Sequence, residues 1–88
     1  MKPVKSLAFD PSAFEDLAWW IQQDRKKALR LVKLIKEVQR TPFTGTGKPE
    51  ALKHELAGCW SRRIDDEHRL VYAVQGDTIR ILACRYHY

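Results

Sequence analysis

Residues 67–86 run Glu67-His68-Arg69-Leu70-Val71-Tyr72-Ala73-Val74-Gln75-Gly76-Asp77-Thr78-Ile79-Arg80-Ile81-Leu82-Ala83-Cys84-Arg85-Tyr86. Two segments rich in β-branched and aromatic side chains, 67–75 and 78–86, flank the pair Gly76-Asp77. Such segments read as strands. A two-residue link containing glycine reads as a hairpin turn, because its backbone twist matches that of the strands it joins. A turn of that length also sets the register. Leu70, Tyr72 and Val74 then come opposite Ala83, Ile81 and Ile79 and make the side turned to a core. Arg69 and Val71 face Cys84 and Leu82 on the other side.

The elements that cover this hairpin lie N-terminal to it. Residues 59–64 read as a further strand and residues 2–9 as a weaker one. Asp10-Pro11-Ser12 marks a helix start in one of two ways: Asp10 caps with Pro11 in the first turn, or Ser12 caps with Glu15 three residues on. Phe14, Leu17, Ala18 and Ile21 recur at three- and four-residue intervals and outline one apolar helical face. After a break at Gln22-Gln23-Asp24, a second helix over 25–40 turns Ala28, Leu31, Val32, Ile35 and Val38 inward. Thr41-Pro42 ends it, since a residue before proline is pushed out of the helical region. Residues 41–50, with two prolines and two glycines, form a loop. The expected architecture is α+β, an N-terminal helical hairpin packed on one face of a twisted antiparallel sheet, with residues 1–88 as one domain.

Sixteen Lys and Arg against eleven Asp and Glu leave a net charge of +5, which favours an anionic partner, nucleic acid or an acidic protein. At 44% hydrophobic and 31% charged residues, the chain has the make-up of a folded globular protein and not of a disordered one. Two cysteines are too few for a disulfide framework, and Leu7-Ala8-Phe9 is too short an apolar stretch for a signal peptide or membrane span. The cytoplasm is the expected compartment, with no membrane association.

Several chemistries find no pattern here. Cys59, Cys84, His54, His68 and His87 show no paired ligand spacing, so neither a metal site nor a cofactor is expected. Gly45-Thr46-Gly47-Lys48 lacks the glycine spacing, the preceding strand and the hydroxyl residue of a phosphate loop. No serine sits in a nucleophile elbow, and Cys59 and Cys84 fall in strand-like runs that suit small buried thiols.

A basic and aromatic surface remains. Lys48, Lys53, Arg62, Arg63, Arg69 and Arg85 are interleaved with Trp60, Tyr86 and Tyr88 in the second half of the chain. Rings stack on unpaired bases and guanidinium groups hold phosphates, so the mixture suits single-stranded RNA; core packing by the rings with solvated arginines is the plainer alternative. The second helix offers the same choice, because Arg25, Lys26, Lys27, Arg30, Lys33, Lys36 and Arg40 make either a solvated face or an RNA-binding stripe. His87, held between Tyr86 and Tyr88, is a candidate proton donor. Glu50, by spacing alone, fits a helix-cap or surface position.

Several segments together resemble one family. They are Thr41-Pro42-Phe43, Gly45, Gly47-Lys48-Pro49-Glu50, Leu52-Lys53-His54, Trp60-Ser61-Arg62-Arg63-Ile64, Glu67-His68-Arg69-Leu70-Val71-Tyr72 and Ala83-Cys84-Arg85-Tyr86-His87-Tyr88. In these the chain resembles the YoeB-type toxins, part of the RelE-like toxin–antitoxin ribonucleases. The resemblance implies a metal-independent endoribonuclease that enters the ribosomal A site, cuts the messenger RNA there and inhibits translation. It implies catalytic roles for Glu50 as general base, His87 as general acid, Arg69 as the cation on the phosphoryl oxygens and Tyr88 as a shaping or stacking residue. Lys48, Lys53, Arg63 and Tyr86 would bind substrate, with Lys53 assisting Arg69. It further implies a YefM-like antitoxin as partner, and a homodimer. Strict strand alternation nevertheless carries His87 to the side of Ile79 and Ile81, away from Arg69. If both serve one phosphate, the last residues leave the strand or twist, or the register shifts by one.

Overall fold

A computed structural model describes residues 4–86. Strand β1 (Ser6–Phe9) leads into helices α1 (Pro11–Gln23) and α2 (Arg25–Arg40), then come β2 (Glu50–Ala51), a short 3₁₀ turn (His54–Leu56), β3 (Cys59–Arg63), β4 (Arg69–Gln75) and β5 (Thr78–Ala83). The five strands form one sheet in the order β1-β5-β4-β3-β2, and the helical hairpin covers one of its faces. The expected α+β architecture is borne out with one amendment. The sheet is mixed, because β1 pairs with β5 in parallel, while the other three pairings are antiparallel. The intervening helices are what make this parallel pairing feasible.

Local chemistry explains the helix boundaries. Asp10 is the N-cap of α1 and Pro11 occupies the first turn, but the Asp10 carboxylate makes no capping bond. It is taken instead by Arg80 Nε and Nη2, at 2.8 and 3.0 Å. One residue, Asp24, separates the helices; its backbone is extended at φ −155°, and its carboxylate caps α2 by accepting from the Lys27 N–H at 3.2 Å.

Helix α1 buries a different stripe from the one its spacing suggests, while α2 departs at one position. In α1 the buried positions are Ala13 and Trp20, with Leu17 half-buried, while Phe14 (62%), Ala18 and Ile21 (59%) are exposed. A tryptophan removes more apolar surface from water than the isoleucine beside it, so the helix rolls to seat Trp20. In α2, Leu34 joins Ala28, Leu31, Ile35 and Val38 in the core, and Val32 turns outward.

The β4–β5 hairpin has the expected turn, with Gln75 paired to Thr78 and Gly76 at φ +59°, a left-handed conformation that glycine adopts without strain. Tyr72 opposite Ile81 and Val74 opposite Ile79 also stand as read. Beyond them the register changes. Val71 pairs with Ala83, so Leu82 is the extra residue of a bulge, and the expected pairing of Leu70 with Ala83 is not made. The bulge moves the buried alternation of β5 from Ile79 and Ile81 to Cys84. The strand itself ends at Ala83, not at 86.

Candidate active site

Residues directly opposite each other in an antiparallel pair point to the same face of a sheet. Glu50 pairs with Ser61, Ser61 with Val71 and Val71 with Ala83, so these four make one row across β2, β3, β4 and β5. Arg63 and Arg69 pair with each other two residues along, on that same face. The alternate positions, Arg62 with Leu70 and Trp60 with Tyr72, face the helices. Strands stand about 4.8 Å apart and rise about 3.4 Å per residue, so the Cα atoms of Glu50 and Arg69 are about 12 Å apart. Arg63 stands on the strand between them. A carboxylate and two guanidinium groups therefore share the face that the helices leave open.

Glu50 owes its place to the loop before it. Gly47 at φ +85° and Lys48 at φ +52° turn the chain, and the Gly47 carbonyl accepts the Arg63 N–H at 2.6 Å. A Cβ at Gly47 would lie 3.1 Å from the Arg63 carbonyl, so backbone meets backbone here with no room to spare. Lys48 is exposed. Lys53 is exposed too, beyond β2 at the start of the 3₁₀ turn, with no bond joining it to Arg69 among the described residues.

Arg62 is no surface residue. Its side chain is fully buried, which corrects its expected place among the RNA-facing arginines. The guanidinium donates to Glu37 Oε1 at 2.6 Å and to the carbonyls of Thr41, Thr44 and Thr46 at 2.5, 2.8 and 3.2 Å. Its Nε donates to the Tyr72 hydroxyl at 3.2 Å. Glu37 completes the clamp by accepting from the Thr46 N–H at 2.5 Å. That backbone bond, followed by Arg62, holds the Glu37 carboxyl below its ordinary range against the opposing effect of burial. Helix α2, strand β3 and the loop that carries Lys48 and Glu50 are thus tied at one guanidinium. Trp60 likewise packs inward, its ring 4.8 Å from that of Phe43.

Arg69 is half-buried, and its Nη1 donates to the carbonyl of Asp65 at 3.0 Å. Nη1 also lies 3.4 Å from the His68 carbonyl, and Nε and Nη2 have no partner among the described residues. The Arg69 backbone N–H donates to the Tyr86 carbonyl at 2.9 Å, so the chain immediately ahead of His87 runs beside Arg69. Having left the strand after the bulge, the terminal segment does not continue the strict alternation. His87 and Tyr88 themselves lie outside the described residues. Tyr86 is exposed, and the Arg85 guanidinium sits over its ring at 4.7 Å and over that of Trp19 at 3.7 Å.

Cys84 is buried, and burial, aided by the nearby Asp16 charge, pushes its thiol up to about 12, out of range of a thiolate nucleophile. Among the described residues, no cluster of three or more His, Cys, Asp or Glu is placed to hold a metal ion, and no helix is long and apolar enough to cross a membrane.

Two positions that spacing did not single out stand beside the site. Glu37 is the lone carboxylate among seven basic residues in α2, a contrast visible in the sequence. His68 shares its alternation with Leu70 and Tyr72, which marks it for the core side.

A helical hairpin on a five-stranded mixed sheet, with a charged open face, is the RelE-like toxin fold. A solved YoeB–YefM complex from Staphylococcus aureus contains a chain with this fold at a TM-score of 0.87 and 42% identity, covering 98% of this chain and 100% of that one. The YoeB dimer from the same organism matches at a TM-score of 0.89 and 44% identity, over 98% of this chain and 100% of that one. The Toxin YoeB of Mycobacterium bovis is 56% identical over 85 residues, 97% of this chain and all of that protein. Residues 9–88 match the family of YoeB-like toxins of bacterial type II toxin–antitoxin systems, and the chain belongs to that family.

Proposed function

We propose that this toxin is a ribosome-dependent endoribonuclease that cuts messenger RNA within the A-site codon and so stops translation. Glu50 takes the proton from a ribose 2′-hydroxyl, whose oxygen attacks the adjacent phosphorus. The bond to the 5′ oxygen breaks as His87 delivers a proton to it, leaving a cyclic phosphate and a free 5′-hydroxyl. Arg69 balances the charge that builds on the phosphoryl oxygens, and Tyr88 shapes the site or stacks on a base. Lys48, Lys53, Arg63 and Tyr86 hold the strand, and no step calls for a metal or cofactor. An acid and a base are each worth on the order of 10²- to 10⁴-fold, and a preorganised cation acts where charge develops.

The observation that carries this reading is the meeting of Glu50, Arg63 and Arg69 on the helix-free face of adjacent strands. It brings one acidic and two basic residues to a single face, within about 12 Å of one another from Cα to Cα. The net charge of +5 supports an anionic target. The same charge, with Phe14, Ile21 and Leu29 exposed on the helices, supports an acidic antitoxin akin to the YefM partner in the Staphylococcus complex. A homodimer like the one solved for the Staphylococcus protein is proposed by the same comparison. The reaction belongs in the cytoplasm, with the ribosomes.

Mapping of messenger-RNA ends on translating ribosomes tests the proposal. Wild-type protein should produce cuts inside A-site codons. Glu50→Gln and His87→Ala should each lower the cleavage rate on the order of 10²-fold or more while still binding ribosomes. If both variants arrest translation as fully as wild type without cutting, the protein acts by occupying the ribosome and the nuclease reading is wrong.

A further inference from the structure

The segment after β5 is held by side chains of α1 and by His68, the residue before β4. Trp20 Nε1 donates to the Cys84 carbonyl at 2.7 Å, and an Asp16 carboxylate oxygen accepts the Cys84 N–H at 3.3 Å. Tyr86 is gripped by β4 and the residue before it. Its N–H donates to Nδ1 of His68 at 2.6 Å, and its carbonyl accepts from the Arg69 N–H at 2.9 Å. Tyr86 sits at φ +63°, a left-handed conformation that a residue with a side chain holds only where its surroundings impose it.

His68 is built into this spot. It is 7% exposed, with its ring edge-on to Trp20 at 4.7 Å and 5.1 Å from the ring of Tyr86. The charged groups facing it are Glu67, whose Oε1 is 3.6 Å from Nε2, and Asp65, whose carboxylate accepts the His68 N–H at 2.6 Å. Arg85 lies across the Tyr86 ring and Arg69 follows in the chain. A nitrogen that accepts a hydrogen bond must keep its lone pair. The ring therefore carries its proton on Nε2, toward Glu67, and a second proton on Nδ1 would set N–H against N–H. Protonation and the bond to Tyr86 exclude each other.

We propose that His68 is a positioning residue: its neutral imidazole latches the Tyr86 backbone beside Arg69, and protonation of the ring opens the latch. The role in catalysis rests on the reading of His87 as general acid; the latch itself can be measured without substrate.

The test uses ¹⁵N-labelled full-length protein, following hydrogen exchange of the Tyr86 amide and its nitrogen–nitrogen coupling to His68 from about pH 8 to about pH 5. In wild type the protection from exchange and the coupling should both be strong while the ring is neutral and should vanish together once it is protonated. His68→Asn keeps a carbonyl acceptor that cannot be protonated, so Tyr86 should stay protected across the whole range. His68→Leu should lose that protection at every pH. On programmed ribosomes, kcat of His68→Leu should fall on the order of 10²-fold with KM little changed, as expected when a reacting group is misplaced. His68→Asn should keep most of the rate. Full Tyr86 protection in His68→Leu overturns the proposal. So does an acid-side loss of protection in His68→Asn equal to wild type, which decides the matter should the leucine variant fail to fold. If the latch behaves as described but His68→Leu cleaves at the wild-type rate, the positioning role is wrong. If no protein cleaves, wild type included, the nuclease reading fails and the latch is judged by exchange alone.

Discussion

At the scale of single residues, the weight of the site falls on side chains that would not touch RNA. Arg62 spends all its donors indoors, on one carboxylate, three loop carbonyls and the Tyr72 hydroxyl. A buried guanidinium is tolerable only when such a set surrounds it, and removing it strands every acceptor at once. Arg62→Met should therefore cost about 3 kcal/mol. In a chain of this length that lowers the melting temperature by about 15 °C. Arg62→Lys should rescue little, because an ammonium cannot reproduce the planar fork. Cleavage should also drop, since the freed loop carries Lys48 and Glu50. Calorimetry of both variants checks the claim; melting within about 2 °C of wild type would contradict it.

At the scale of elements, α1 is the instructive case. Two apolar stripes compete for the core, and the fold buries the one with Ala13 and Trp20. Trp20 is 2% exposed, and its indole N–H also reaches the Cys84 carbonyl, so it packs the core and ties down the terminal segment. Trp20→Ala should cost about 3–5 kcal/mol. Phe14→Ser and Ile21→Ser, both on the exposed stripe, should each change the stability of the isolated protein by less than about 1 kcal/mol. Urea denaturation of the three variants separates these outcomes, and an Ile21→Ser loss as large as that of Trp20→Ala would mean the helix is rolled the other way. The β5 bulge acts at the same scale. One extra residue, Leu82, reverses which side chains face the helices and releases the chain toward Arg69.

For the molecule as a whole, the turn between β3 and β4 joins the helices to the open face. Asp65 receives Lys27 Nζ from α2 at 2.6 Å and the backbone N–H groups of Glu67 and His68 at 2.8 and 2.6 Å. Burial works against its charge, but Lys27 and these N–H groups outweigh it and hold the carboxyl down at about 2, against an ordinary value of 3.8. A carboxylate whose folded value is depressed stabilises the fold above its ordinary value, and that contribution is lost as pH falls toward the folded value. Asp65→Asn should therefore weaken the protein at neutral pH, and the gap to wild type should close between about pH 4 and pH 2. Denaturant melts across that range measure it. A gap that stayed constant with pH would show that the carboxylate's charge is not what matters.

Alternation, capping residues and the Gly76-Asp77 turn were enough to read two helices, the last three strands and the hairpin from the amino acids alone. These are local preferences, expressed wherever the segment sits. The motif residues likewise marked Glu50, Arg63 and Arg69 by resemblance. Which stripe of α1 is buried, the parallel pairing of β1, the bulge at Leu82 and the inward turn of Arg62 were decided only by tertiary structure. Each is a choice between alternatives of similar local energy, and contacts between residues distant in the chain, Arg62 with Glu37 and Tyr86 with His68 among them, make the choice.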